Sequence, residues 1–443
     1  MTGKKKRSAF PMHLTPFESY MFVDDQPRFP MTFVFQFDFV GAIDQRVFQD
    51  AIDQAIQRHP MLRAVIQPAK SSRDCWVLPD SYDSKIDFAD LSNPIMIDGS
   101  SQYIDLRSEI GFKGWVRQND QTSQFVALFH HSAVDGIGAY HFLSDVFWFY
   151  AKHFGNQMGE LRQYNVSDLR SRLRANVGDL RPSKSDAPEF NQLGAQPILP
   201  HQNSSVAPGA SNPFPQFQSH IFDKDEHREL RLKAQERGQT LNDRLLESLM
   251  ITMLTWNEQH GGDVEKDDFC VLMPLDIRTA EQANLSAANV VTSSFIRRSA
   301  QQIRDREDLK SSLLRETMQL KHSRHESDFM KQLISAPAGW NEAAQLYNKE
   351  NCHTSTIFSN AGDPTKRFLN RFPREGDRFQ CGNLLLEEMN GASPLRNMTR
   401  AAFNSFTYRR KLKIGIRCDP QYFTNDDGKA LLDHFVKTFL TDL

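Results

Sequence analysis

The sequence predicts an α/β protein built as two lobes. Three observations carry this expectation. The chain has 443 residues, more than one ordinary domain holds. Strand-like and helix-like patterns alternate in both halves. Between the halves, residues 181–217 lose periodicity and fill with Pro, Ser, Asn and Gln. A structureless loop of that length is unusual inside one compact domain. The expected division is therefore a lobe at 1–180, a Pro-rich linker at 181–217 and a lobe at 218–443. A single large barrel is the alternative.

The elements follow in chain order. In Thr32–Phe39, Phe33, Phe35, Phe37 and Phe39 recur with period two, which puts them on one face of a strand. Gly41 breaks it. Asp44 can cap a helix whose stripe is Val47, Ala51, Ile52, Ala55 and Ile56, ending near His59-Pro60. Phe125–Phe129 is all apolar, as in a strand buried on both faces. A helix with an aromatic end, Gly136–Phe154, follows. After the linker, Leu241–His260 is helical, with Thr240 and Asp243 as a cap pair. Phe269–Met273 and Asn289–Ile296 are strands. Leu309, Leu313, Met318 and Leu320 mark an amphipathic helix. Leu412, Ile414, Ile416 and Cys418 alternate as a half-buried antiparallel strand, and Leu431 to Phe439 form a terminal helix.

Composition narrows the function. Hydrophobic residues at 39% and charged residues at 24% suit a globular chain with sizeable cores. A net charge of −2 argues against a dedicated nucleic-acid binder. No apolar run is long enough to span a membrane. The five cysteines are scattered and form no CxxC pair, so a disulfide framework or zinc site is not expected and a reducing, cytoplasmic setting fits. Lys4, Lys5, Lys6 and Arg7 begin no signal peptide, since no apolar segment follows. They form a solvated tail, with weak attraction to an anionic membrane surface as the other reading. Phenylalanine stands out: 33 residues, against 9 Tyr and 5 Trp. Those of 32–39 and 142–149 could line a channel, but core packing is the better reading for most of them.

The chemistry concentrates at His130-His131-Ser132-Ala133-Val134-Asp135-Gly136. Adjacent residues leaving a strand point to opposite sides, so one histidine can face a cleft while the other packs behind it. A neutral imidazole there is a general base for a hydroxyl or amine. Asp135 is either its direct partner or a structural anchor. Gly136 permits close backbone approach and offers an N–H at the helix start for an oxyanion. A metal held by His130, His131 and Asp135 is not expected, because their side chains diverge and no further ligand cluster is apparent. The four fixed positions of HHxxxDG arise by chance in such a chain with a probability on the order of 10⁻³. Neither a GxSxG elbow nor a P-loop is present.

HHxxxDG between a buried strand and a helix resembles the active-site motif of the chloramphenicol-acetyltransferase-like superfamily, which includes condensation domains, BAHD acyltransferases, polyketide-associated acyltransferases and wax ester synthases. Arg58-His59-Pro60-Met61-Leu62-Arg63, Met273-Pro274-Leu275-Asp276-Ile277-Arg278 with Asn289-Val290-Val291, and Thr240-Leu241-Asn242-Asp243 resemble further segments of it. The likeness spans nearly the whole chain. No DFGWG element occurs, which speaks against the BAHD branch. The length leaves no room for adenylation and carrier domains, so a free-standing protein is expected.

The resemblance implies two chloramphenicol-acetyltransferase-like lobes of mixed α/β structure with the active site at their interface. It implies His131 as base, His130 in support, and Asp135 paired with Arg278 to fix the histidine loop. Asn289, Ser293 and Tyr140 are candidate substrate contacts. The implied reaction is acyl transfer from acyl-CoA or a phosphopantetheine carrier to a small-molecule or lipid hydroxyl, with no metal and no permanently bound cofactor. An acyl carrier protein is a possible partner. Amide formation on an amine, or ligand binding without catalysis, are the alternatives.

Overall fold

The nine residues Thr32–Val40 form the centre of a seven-stranded sheet. They pair antiparallel with Thr122–His130 along their whole length, from Thr32 opposite His130 to Val40 opposite Thr122. This is a computed structural model, and it describes residues 9–69, 74–95, 102–172, 194–201, 214, 217–323, 328–335 and 351–441. On the far side of Thr122–His130 lie Phe112–Gln118 and then the parallel strand Asp87–Asp90. The helices Gln45–Arg58 and Gly136–His153 cover one face and meet the phenylalanine row there. Phe37 lies 5.2 Å from Phe147 between ring centroids, and Phe48 lies 4.9 Å from Phe125. Both contacts are edge-on, the geometry that ring quadrupoles favour. Asp44 caps the first helix through Val47 N–H, as its position predicts.

The sheet does not respect the expected division of the chain. Its other side is built from Leu384–Ala392, Arg378–Cys381 and Arg374–Glu375, which all lie beyond residue 217. Leu384–Ala392 pairs antiparallel with Thr32–Val40, with a register shift between Leu386 and Glu388. The second half also sends Ile277, Leu285, Ala287, Ala288 and Val290 into the first core. Local composition marks a linker; it carries no information on where a later strand pairs. Most of 181–217 lies outside the described residues. Of the rest, Ile198 is buried in the second core, and Phe214 packs on Trp115 of the first at 5.7 Å.

The second sheet has six strands in the order Val291–Arg298, Phe269–Asp276, Thr356–Gly362, Ala401–Tyr408, Lys411–Cys418 and Gln218–Phe222. Thr356–Gly362 runs parallel to both neighbours and the other pairings are antiparallel. Helices Leu241–Gln259 and Asn425–Thr441 cover it, with Phe403 against Phe435 at 5.2 Å. Thr240 and Asp243 form the expected capping box. A small sheet joins Met12–His13, Asp74–Val77 and Val65–Pro68. Two open mixed sheets, not a barrel, make up the two lobes.

Two details differ from expectation, while the aromatic end of the helix Gly136–His153 packs as the core reading has it. The first strand after the Met273–Arg278 segment starts at Val291, not Asn289. Met318 is half exposed, because the buried line of Arg306–Ser323 runs Leu309, Leu313, Thr317, and Met318 sits about 100° around the helix from it. Phe142 and Phe147 are core residues, packed between sheet and helix.

Phe37 is fully buried at the centre of this aromatic layer. Phe37→Ala is expected to cost about 3–5 kcal/mol, read as a fall in urea midpoint with the m-value unchanged.

Candidate active site

The end of the strand Thr122–His130 aims two adjacent histidines in opposite directions. His130 N–H donates to Gly111 O at 3.1 Å, and His131 N–H donates to Met31 O at 2.7 Å. The His130 ring is wholly buried. Its Nδ1 accepts from Ser132 N–H at 3.1 Å, which leaves the proton on Nε2, 3.3 Å from the buried carboxylate of Asp25. His131 turns the other way and is partly exposed. Its ring lies edge-on to Phe33 at 5.1 Å. Burial pushes the His131 pKa below the ordinary imidazole value; the ring's own backbone carbonyl and the Asp135 charge act in the opposite sense and do not cancel it. At neutral pH the ring is therefore uncharged and able to take a proton.

Asp135 ends the turn and caps the helix Gly136–His153. Its Oδ1 accepts from Gly138 N–H at 2.8 Å and from Arg278 Nη2 at 2.8 Å. Its Oδ2 accepts from Val290 N–H at 2.7 Å. None of these bonds goes to His131, so the geometry is that of an anchor. Burial alone would raise the Asp135 pKa; the Arg278 charge and the two backbone N–H groups hold it below the usual carboxylate value. Arg278 is itself gripped by Asp276 at 3.2 Å and by Ala288 O at 3.1 Å.

The neighbouring segment of the second half is stitched to the first lobe residue by residue. Ala287 N–H donates to His59 Nδ1 at 2.8 Å, Ala288 O accepts from Asp135 N–H at 3.3 Å, and Asn289 Nδ2 donates to His131 O at 2.5 Å. Asn289 is thus buried against the backbone of the histidine and lines neither cavity described below. Close approach falls at Gly138: a Cβ there would meet Ala288 O at 2.7 Å and Ala288 N at 2.8 Å. At Gly136, the expected site of approach, a Cβ would meet nothing within 4 Å. Gly136 instead borders open space at the helix start.

That space is a cavity of about 470 Å³, within the range of ligand pockets. His131, Gly136, Phe33, Phe35 and Tyr140 line it from the first lobe; Met273, Phe358, Phe406 and several Asn and Ser residues line it from elsewhere. Exposed Lys321 and Arg367 also lie on its wall. The passage exists because strands Phe269–Asp276 and Thr356–Gly362 pair only at Thr356 and Ile357 and then part. Tyr140 is held by stacking on Phe368 at 4.6 Å and 9°. A smaller cavity, bordered by Ser293, adjoins it and is also lined by His131. Of the phenylalanines that could line a channel, Phe33 and Phe35 reach the larger cavity, and Phe142 and Phe147 do not.

A second buried charge cluster was not anticipated. Asp145, midway along the helix Gly136–His153, receives Arg58 Nε at 2.8 Å, His59 Nε2 at 3.2 Å and Arg371 Nη2 at 2.9 Å. Burial opposes ionisation, but these partners draw its pKa down to about 2. His59 bridges this cluster to Ala287, and hence to the active-site clamp. A lone acid among Phe142, Leu143, Val146 and Phe147 was the available signal; nothing local identified its partners. Among the described residues, no group of three His, Cys, Asp or Glu side chains is placed to hold a metal ion, and no helix is long and apolar enough to cross a membrane. The tail 1–8 lies outside the described residues.

Residues 22–319 match the family model described as "Condensation domain". In sequence, the chain matches no curated protein. In structure it is similar to the TRI3 trichothecene 15-O-acetyltransferase of Fusarium sporotrichioides, with TM-score 0.65, 14% identity and coverage of 96% of this chain and 94% of that one. It is also similar to a variant starter condensation domain of rhizomide synthetase RzmA in complex with C8-CoA (TM-score 0.61, 12% identity, 97% and 94% covered). A third likeness is to polyketide synthase associated protein 5 of Mycobacterium tuberculosis (TM-score 0.61, 13% identity, 97% of each chain).

Two outcomes are expected from this geometry. Asp135→Ala and Arg278→Ala each strand a buried charge and are expected to cost about 3–5 kcal/mol. The double variant should cost well under the sum, measured by a denaturant double-mutant cycle. Gly138→Ala should lower Tm by forcing its Cβ into Ala288, whereas Gly136→Ala should leave Tm unchanged.

Proposed function

The chain belongs to the condensation-domain family, and on that premise we propose that it transfers an acyl group from a thioester to a hydroxyl acceptor, with His131 as general base. The observation that carries this is the position of His131: an uncharged imidazole standing where two cavities meet. In the proposed step, the acceptor oxygen attacks the thioester carbonyl while its proton passes to the imidazole. The charge on the tetrahedral oxygen is stabilised by the amide of Gly136, the first helical residue, whose N–H has no partner within the helix. Collapse of the tetrahedral species breaks the C–S bond, and the imidazolium returns the proton to the thiolate. The reaction needs no covalent bond to the protein.

Hydroxyl acceptors are favoured because an alcohol must lose its proton as it attacks, whereas a free amine attacks through its own lone pair. Amide formation on an amine is the alternative. Lys321 and Arg367 on the cavity wall suit a phosphate-bearing donor such as acyl-CoA or a phosphopantetheine arm on a carrier protein. Tyr140 and Ser293 are proposed as substrate contacts from the two cavities, and Asn289 as a residue that positions His131. No disulfide joins the five cysteines, which suits a reducing, cytoplasmic setting.

The test is incubation with a panel of acyl-CoAs and either alcohols or amines, with products identified by mass spectrometry. Ester products are expected; amide products alone would support the alternative acceptor. His131→Ala should lower turnover by about 10²–10⁴-fold with Tm nearly unchanged, and full activity in that variant would refute the assignment. Because the base acts when neutral and its pKa lies below 6.5, kcat/KM should be flat at neutral pH and fall only on the acid side of 6.5.

A further inference from the structure

The smaller cavity has a definite size and a fixed wall. It measures about 60 Å³ and shares His131, Pro274, Val291, Ser359, Ser393 and Pro394 with the larger one. His131 therefore lies on the wall where a roomy chamber meets a small one. The small chamber ends on Phe17, Tyr20 and Met21 of the helix Pro16–Asp24, with Met31, Leu272 and Ile357 beside them. Except for the half-buried Met21, these six side chains are buried.

The helix that closes the chamber is held at both ends. Thr15 and Glu18 form a capping box at its start. The Glu18 carboxylate is also fixed by Arg172 at 2.7 Å and by Trp76 Nε1 at 3.0 Å. At its end, Asp24 takes a two-pronged bond from Arg396, at 2.6 and 3.0 Å. Phe329 packs edge-on against both Phe17 and Tyr20 from behind. Moving this wall would break buried charge pairs, each expensive to leave unmatched. The lining is apolar apart from His131, the Tyr20 hydroxyl, three serines and Arg396, whose charge Asp24 answers.

We infer that the small chamber is a terminal pocket that seats a short, uncharged acyl group of about two to four carbons and excludes longer chains, while the thiol arm and the acceptor occupy the larger chamber. A single water needs roughly 10–15 Å³ of cavity measured in this way. The chamber thus takes about four to six water-sized units, enough for an acetyl to butyryl group. A longer chain would have to displace the anchored helix. This inference rests on the acyl-transfer reading and adds to it the size class of the transferred group.

The experiment is calorimetric binding of pantetheine carrying acetyl, butyryl, octanoyl or dodecanoyl groups, as analogues with CH₂ in place of the thioester sulfur, to the full chain. Affinity should rise from pantetheine to the butyryl analogue and fall at least tenfold by octanoyl. Ile357→Ala and Met21→Ala, which enlarge the chamber, should recover octanoyl binding at least fivefold. Met21 is half-buried, so its variant decides the matter if Ile357→Ala fails to fold. Octanoyl or dodecanoyl analogues that bind as tightly as butyryl, or a folded Met21→Ala protein with an unaltered length profile, would overturn the pocket while leaving acyl transfer standing. If no acyl group of any length improves on pantetheine, the acyl-transfer reading falls, and the pocket with it.

Discussion

The structure turns on one buried carboxylate. Asp135 is almost inaccessible to water and would be costly to ionise alone. It is ionised because three groups converge on it: the Gly138 amide from its own helix, and the Val290 amide and Arg278 guanidinium from the second half. One side chain thus starts a helix, joins the lobes and fixes the loop that presents His131. Removing any partner leaves the others unsatisfied, so these functions cannot be lost one at a time.

Around that point the two lobes are interdependent. The second half supplies three strands to the first sheet and the apolar residues of 277–290 to the first core. The first half supplies the helix Pro16–Asp24, which packs on Phe329, Met330 and Val291. The larger cavity lies between these parts, beside the point where Phe269–Asp276 and Thr356–Gly362 separate after two paired residues. His131, at the end of a strand of one lobe and bonded through its backbone by Asn289 of the second half, is desolvated enough to stay neutral and still lines both chambers.

What the sequence made legible was local. The phenylalanine alternation, the Asp44 and Thr240 caps and the HHxxxDG turn each lie within a few residues, and each took its expected form. The Asp135–Arg278 pair spans 143 residues and was visible only through family resemblance. His130–Asp25 and His59–Asp145 are equally long-range and had no such guide. The strand Leu384–Ala392 was missed for a physical reason: its register shift near Glu388 breaks the period-two pattern that marks a strand. The motif points to Gly136 as the close-packing glycine, but the contact falls two residues later, at Gly138, where the helix meets Ala288.

The proposed chemistry needs His131 to be neutral, and its burial is what holds it so. The direct measurement is an NMR titration of protein labelled with ¹³C at the histidine rings, with the His131 signal identified by its loss in His131→Gln. This ring is expected to stay uncharged through pH 6.5 and to gain its proton only at lower pH. A midpoint at or above 6.5 would contradict that expectation.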